Sequence, residues 1–423
     1  MHTAATYLSE AINSKVSIYV STSYTHNSPL STNYPKMASS TTTVDYPNEF
    51  KGFSISDPSQ WSNPKLTSFQ PKNFGPTDVD IEIECCGVCA SELFTLKNDW
   101  GHGPMACTSS KYGPKTQCVG HEIVGRVVKV GESCTTGVKL GDRVGLGAQA
   151  SCCGECSRCK SGNQQYCPKM VTTYASVYPD GYVSQGGYAS HVRANEILVF
   201  PIPEGIESHL VAPLQCGGLT VYSPIKRGIE DILAKGETPK VGVIGIGGLG
   251  HMAIMIAKAL GAEVTAFSRS NSKKEDALKM GADKFVATAE SPDFDTEYFD
   301  EFHLMLNCAS STTDLPLTKF IRVLKVNRSF TSVGLPHIDE TFNVSPFAFF
   351  SNGSNLGSSA LGSREEAIEL FDLAVKHNFA PWVETLDVNE ENVSQALTRL
   401  DKGDVRYRFT LVGFNKFFGT GKL

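Results

Sequence analysis

The sequence predicts an α/β protein made of a β-rich, partly barrel-like half and a doubly wound parallel-sheet half. Three observations carry that class. Short strand-like segments, alternating at positions 50–85 and Val/Ile-rich at 120–131, mark the first part. After Pro201 the texture changes to short apolar runs separated by helical stretches. Within that second part, a glycine-rich turn at 245–250 joins an apolar strand to a helix.

Taken in order, Asp80-Ile81-Glu82-Ile83-Glu84 alternates with period two and reads as a strand, and residues 120–131 give another through Ile123, Val124, Val127, Val128 and Val130. Residues 140–145 add a turn at Leu140-Gly141-Asp142 and a further strand. Residues 205–232 look helical. The run Val241-Gly242-Val243-Ile244 is an apolar strand, 249–260 a helix, and 263–267 a second strand of the same kind, which together make a βαβ unit. Later parallel strands are predicted at 304–308 and 329–333, a helix at 365–377 and a closing strand at 409–412.

Composition excludes several classes. A formal charge of −6 and a pI near 6.0 oppose a nucleic-acid partner. No run of eighteen apolar residues spans a membrane. Thirteen clustered cysteines, with no hydrophobic leader and cleavage site, indicate a reducing compartment, hence a cytoplasmic location. Residues 1–44 are rich in Ser, Thr, Asn and Tyr and carry few charges, so they are expected to be a disordered tail, with Met37 as an alternative start.

Cys153-x2-Cys156-x2-Cys159-x7-Cys167 has metal-knuckle spacing, with Gly154 and Gly162 at its bends. Four thiolates fill every position around a tetrahedral Zn²⁺, so this site is predicted to be structural; reduced thiols or two disulfides are the alternative. Gly245-Ile246-Gly247-Gly248-Leu249-Gly250 fits G-x-G-x-x-G between a strand and a helix, the context of a Rossmann dinucleotide site. Gly245 permits the turn, Gly247 lets the backbone approach the pyrophosphate, and Gly250 lets the helix pack on the strand. Where an NAD enzyme places an acid on the ribose, this chain has Ser268, Arg269, Ser270, Asn271, Ser272, Lys273 and Lys274, with no acid until Glu275. Ser268, Arg269 and Lys273 can donate to a 2′-phosphate, so NADP(H) is favoured over NAD; a merely solvated basic loop is the alternative.

Cys89, His121-Glu122 and Cys216 remain, each within two residues of a glycine: Gly87-Val88-Cys89, Gly120-His121-Glu122 and Cys216-Gly217-Gly218. Two thiolates and an imidazole form a three-ligand zinc set with one position left for a substrate oxygen, a Lewis-acid arrangement. Taken singly, each is as easily a buried thiol or a satisfied histidine.

With these motifs in hand, the sequence resembles the zinc-dependent medium-chain alcohol dehydrogenases, most of all the NADP-dependent cinnamyl alcohol dehydrogenase branch and its fungal broad-specificity relatives. Cys86-Gly87-Val88-Cys89, Gly120-His121-Glu122, the knuckle, Gly186-Gly187-Tyr188-Ala189, the run from Pro213 to Tyr222, the glycine loop and Asp404-Val405-Arg406-Tyr407-Arg408-Phe409 all match that pattern, from about residue 45 to the end. The resemblance implies a GroES-like catalytic domain at 45–205 with a structural zinc lobe. It implies a Rossmann NADP-binding domain at 206–349, and a segment 350–423 that completes the catalytic domain. It also implies Cys89, His121 and Cys216 as ligands of the catalytic zinc, Glu122 as a fourth ligand that substrate displaces, Ser91 as the group that passes the proton, Thr220 near the nicotinamide, and a homodimer.

Two departures stand out. Glu92 replaces the family's usual Asp three residues after the ligand cysteine, and Phe94 replaces the histidine two positions later. The stretch between Leu96 and Cys118 is longer than the family norm, with His102, Cys107 and Tyr112 in the extra part; His102 is a candidate to replace the missing base, with a plain surface histidine, and water as the proton's exit, as the alternative. The reading as a whole is a reversible, two-zinc, NADPH-dependent reductase of small-molecule aldehydes, aromatic or unsaturated. Its rivals are an NAD-linked polyol dehydrogenase of the same superfamily and a non-enzymatic zinc-knuckle binding protein.

Overall fold

The alternation in the first half becomes sheet, and its longest strand, residues 78–88, is buried on both faces. In a computed structural model that describes residues 47–100, 105–109 and 114–421, three strands form one small sheet: β1 (Phe50–Ile55), β2 (Lys65–Phe69) and β4 (Gln117–Cys118), in the order β2-β1-β4. The longest strand, β3 (Asp78–Val88), pairs antiparallel with β5 (Glu122–Val130). Beyond it lie β6 (Arg143–Leu146) and, after the short hairpin β7 (Gln149–Ser151) and β8 (Val171–Thr172), β9 (His191–Asn195) and β10 (Val199–Pro201). The polar positions of β3 do not face water. Asp80 is fully buried and takes a bidentate pair from Arg193, Nε at 2.7 Å and Nη2 at 2.8 Å, which satisfies the charge inside the sheet.

The second half is the expected parallel sheet. Strands β11 (Lys240–Ile244), β12 (Glu263–Ser268), β13 (Lys284–Ala287), β14 (Phe302–Asn307), β15 (Leu324–Ser332) and β16 (Asn355–Ser358) stand in the order β13-β12-β11-β14-β15-β16, all parallel. This is the doubly wound Rossmann order, with its reversal between β11 and β14, directly after the glycine turn. The expected boundary at 349/350 is corrected here: β16 is the sixth strand of the sheet, so this domain runs past residue 349.

The chain then returns to the first half. Strand β18 (Arg408–Val412) lies antiparallel to β3 and parallel to β17 (Val383–Asp387), giving the large sheet the path β10-β6-β5-β3-β18-β17. One buried cluster is continuous from Cys85 and Val124 through Leu214, Val221, Val243, Ile254 and Leu306 to Phe371 and Tyr407. A second, built on Phe267, Phe294, Phe302, Phe320 and Phe330, packs the rest of the parallel sheet.

The stretch 205–232, read as one helix, is broken. A short helix (Ser208–Val211) and a 3₁₀ turn end at Cys216, whose φ of −122° and ψ of −74° are not helical, and a new helix (Gly217–Ala234) begins there. The break is what turns Cys216 out of a helix and into the site. Among the described residues no helix is long and apolar enough to cross a membrane. The tail 1–44, Met37, His102 and Tyr112 lie outside the described residues.

Candidate active site and metal centres

All thirteen cysteines are free thiols, so the knuckle is not a disulfide framework. Ligand atoms of Cys153, Cys156, Cys159 and Cys167 lie within 4.8 Å of one another. The loop is wound so that its own amides point at the sulfurs. Cys156 N–H donates to Cys153 Sγ at 3.4 Å, Cys159 N–H to Cys156 Sγ at 3.5 Å, and Cys153 N–H to Cys167 Sγ at 3.5 Å. The amides of Cys156 and Glu155 hold the Cys153 thiol down at about 6, an ionised ligand ready for a metal.

Cys89, His121, Glu122 and Cys216, the second predicted set, also meet with ligand atoms within 4.8 Å of one another. Each comes from the end of an element: Cys89 caps the helix Ala90–Lys97, His121 precedes and Glu122 opens β5, and Cys216 sits at the helical break. Close approach of strands matters here, because a Cβ on Gly87 would lie 2.1 Å from Glu122 Oε2. The Cys216 thiol hydrogen-bonds to Cys89 and holds it well below the usual thiol range against the cost of burial, with Arg408 and His121 assisting. His121, despite a burial that opposes its charge, is raised by Glu92 and Cys89 to about 10. Burial pushes Glu122 up to about 8, with Arg408 pulling the other way.

The donor set fits a divalent metal on three counts. Its chemistry is that of a catalytic zinc site. Glu122 Oε2 is buried with no hydrogen-bond partner among the described residues. Third, the ligand atoms of Cys89, His121, Glu122 and Cys216 all lie within 4.8 Å of one another, the spread of a single coordination shell.

Three residues around this set had no role in the sequence reading. Glu92, fully buried, accepts the Cys89 N–H at 2.6 Å and the Tyr188 O–H at 2.8 Å through Oε2. Its Oε1 lies 3.0 Å from His121 Nδ1, an ionic contact off the line of a straight hydrogen bond, and leaves Nε2 to face the ligand group. Arg408, 5% exposed, pairs through Nη2 with Glu122 Oε1 and also approaches the glycine loop, where a Cβ on Gly248 would lie 3.2 Å from its Nη1. Tyr174 donates to Ser91 Oγ at 3.2 Å, and its ring lies 5.3 Å from that of His121. The matching run from Asp404 to Phe409 contained Arg408, but nothing in it pointed to Glu122.

Ser91 lies in the first turn of the helix capped by Cys89, and Phe94, on the same helix, stacks on Trp100 with ring centroids 4.7 Å apart. Thr220 is half-buried four residues after Cys216, to whose carbonyl its N–H donates at 2.8 Å. The glycine loop has the form its sequence implied. Gly245 has φ +83°, and a Cβ on Gly250 would lie 1.8 Å from the Gly245 carbonyl oxygen, so helix and strand could not approach with any larger residue. A Cβ on Gly247 would meet nothing within 4 Å, an open space beside the N-terminus of the helix Gly250–Ala259 that suits a pyrophosphate. Leu249 caps that helix. Ser268 ends β12, Arg269 is exposed, and Lys273 folds back so that its Nζ donates to the Ile246 carbonyl at 2.6 Å, which ties the basic turn to the glycine loop.

Comparison with known proteins gives concordant results. The alcohol dehydrogenase GroES-like domain family matches residues 75–204, and the zinc-binding dehydrogenase family matches residues 248–376. NADP-dependent alcohol dehydrogenase 6 of Saccharomyces cerevisiae is 47% identical over 375 residues, 89% of this chain and 99% of that protein. Probable cinnamyl alcohol dehydrogenase 3 of Oryza sativa subsp. japonica is 37% identical over 80% of this chain and 87% of its own length. Among solved structures, a cinnamyl alcohol dehydrogenase from Sorghum bicolor superposes with a TM-score of 0.76 at 30% identity, covering 89% of this chain and 99% of that one. The corresponding enzyme from Helicobacter pylori, solved with NADP(H), gives 0.73 at 30% identity, covering 86% and 98%.

Proposed function

The chain belongs to the zinc-binding alcohol dehydrogenase family and is an oxidoreductase, and from that premise we propose that it reduces aldehydes, aromatic or unsaturated ones, to primary alcohols with NADPH, reversibly. The observation that carries the reading is the buried Arg408, which touches the carboxylate of the Cys89, His121, Glu122, Cys216 set and borders the glycine loop, so that metal ligands and dinucleotide loop form one site. When bound, zinc supplies Lewis acidity toward a carbonyl oxygen and NADPH supplies the hydride.

The remaining work falls to side chains. Ser91 lies next to the ligand set and passes a proton toward the substrate oxygen, its Oγ accepting from Tyr174 so that its own hydrogen stays available. Phe94 carries no proton, and the stacked Phe94–Trp100 pair offers an aromatic wall one helical turn from Ser91, which suits a planar substrate. Thr220 stands on the cofactor side, at the start of the helix Gly217–Ala234. Cofactor choice falls to Ser268, Arg269 and Lys273, in a turn without a carboxylate before Glu275. Relatives named for NADP dependence support NADP(H) as the cofactor.

A homodimer goes with this reading. Strand β16 is the outer edge of the parallel sheet, and Phe347 and Phe350 before it are 82% and 88% exposed, an apolar surface that a second copy would cover. A cytoplasmic location accords with thirteen free thiols. NADPH oxidation followed across aliphatic, cinnamyl and bulkier aldehydes tests the activity, with mass in solution as the test of the dimer. A protein that turns over NADH and polyols in preference would replace this reading with the NAD-linked one.

A further inference from the structure

The basic turn after β12 does not stand alone. Tyr407, 2% exposed, is fixed from several sides: its ring stacks on His251 at 5.3 Å, its O–H donates to Asp276 Oδ2 at 2.5 Å, and its N–H donates to the Trp382 carbonyl at 3.1 Å. Two cations lie against that ring. Lys273 Nζ is 5.6 Å from its centroid and Arg406 Cζ is 5.5 Å from it. Besides that ring, the ion pair Arg406 makes among the described residues is a long one, Nε to Asp276 Oδ2 at 3.9 Å, with 54% of its side chain exposed. A surface pair of that kind is worth little and exchanges readily. Lys273 and Arg406 thus share one ring, and Arg269 is exposed four residues before Lys273 in the same turn; burial first, then Arg406, depresses the Lys273 ammonium.

We infer that Arg406 is a fourth determinant of cofactor choice: supplied by the returning C-terminal segment and not by the parallel-sheet domain, it joins Ser268, Arg269 and Lys273 in a receptor for the 2′-phosphate of NADP(H). A phosphate dianion at the mouth of the glycine loop satisfies the surplus charge, and a guanidinium on a fixed aromatic platform matches its geometry better than an ammonium does. The inference rests on the NADPH reading above.

The test is binding, measured without turnover. The probes are 2′,5′-ADP and 5′-ADP, titrated by calorimetry into the parent, Arg406→Gln, Arg406→Lys and Arg269→Ala proteins. Arg406→Gln is expected to weaken 2′,5′-ADP about tenfold, the scale of one charge-assisted hydrogen bond, and to leave 5′-ADP unchanged. Arg406→Lys should recover part of the loss. Equal 2′,5′-ADP affinity in Arg406→Gln and the parent, while Arg269→Ala loses it, overturns this inference alone. A parent that binds the two probes equally overturns the cofactor reading and this inference together.

Discussion

Replacing Glu92 by Gln should loosen the catalytic zinc selectively. The carboxylate serves three groups: the Cys89 N–H at 2.6 Å, the Tyr188 O–H at 2.8 Å and His121 Nδ1 at 3.0 Å, all in a fully buried place. Glutamine keeps the shape but offers one acceptor oxygen and one NH₂ group. If its oxygen takes the position of Oε2, the NH₂ faces Nδ1 and favours the tautomer with the proton on Nε2, the nitrogen needed by the metal. If it turns the other way, the NH₂ opposes two donors. Either arrangement leaves a buried polar group unsatisfied, at about 1–3 kcal/mol. That corresponds to the 10–100-fold drop in metal affinity typical of a lost outer-shell partner. Competition with a chromophoric chelator, read as two phases of zinc release, measures it: the phase of the active-site metal should shift and that of the four-cysteine knuckle should not. Two unshifted phases in Glu92→Gln would refute the argument that Glu92 orients His121.

Three further outcomes are expected. Cys216→Ser should keep the fold but lose one zinc and the activity, whereas Cys159→Ser should lower the melting temperature first; metal analysis that finds a single zinc per chain in active parent protein would sink the two-site assignment. Ser268→Asp with Arg269→Ala should move preference toward NADH, checked by the ratio of kcat/KM for the two cofactors; an unchanged ratio would make the turn a solvated loop. Burial pushes the His251 imidazole down to about 3, so the ring stays neutral in the fold while the unfolded chain takes up a proton below about 6.5. Stability present above that pH is therefore lost as pH falls toward 3, by about 2 kcal/mol at pH 5, and His251→Asn should flatten the slope in denaturant titrations; parallel curves for both proteins would contradict it.

Local spacing carried most of what could be read from the sequence. The knuckle, the glycine loop and its helix depend on residues within one turn or loop of each other, so their geometry is implicit in their order. The active-site set could be assembled from the sequence only through glycine-flanked positions and family resemblance, since strand pairing brings Cys89, His121 and Cys216 together. What stayed hidden depends on distant contacts: Tyr188 reaches Glu92 across 96 residues, Tyr174 reaches Ser91 across 83, and Arg408 reaches Glu122 across 286. The domain boundary was missed for a different reason. Strand β16 is mostly exposed and reads Asn-Leu-Gly-Ser, without the apolar run that marks the other strands of its sheet.

The return of the chain has a consequence for synthesis. Strand β18 sits between β3 and β17, and its register joins Phe409 to Val88 and Leu411 to Cys86, so the Cys86–Val88 end of β3 stays unpaired on that side until almost the whole polypeptide has left the ribosome. The parallel sheet, contiguous from Lys240 to Ser358, is complete earlier and can fold as a unit behind an N-terminal half that still waits for its partner strand. Loop closure across the entire inserted domain then becomes a late and slow event. A nascent or C-terminally clipped chain that ends before Arg408 would leave the Cys86–Val88 end of β3 unpaired next to the ligand thiol of Cys89, a species suited to chaperone capture or aggregation.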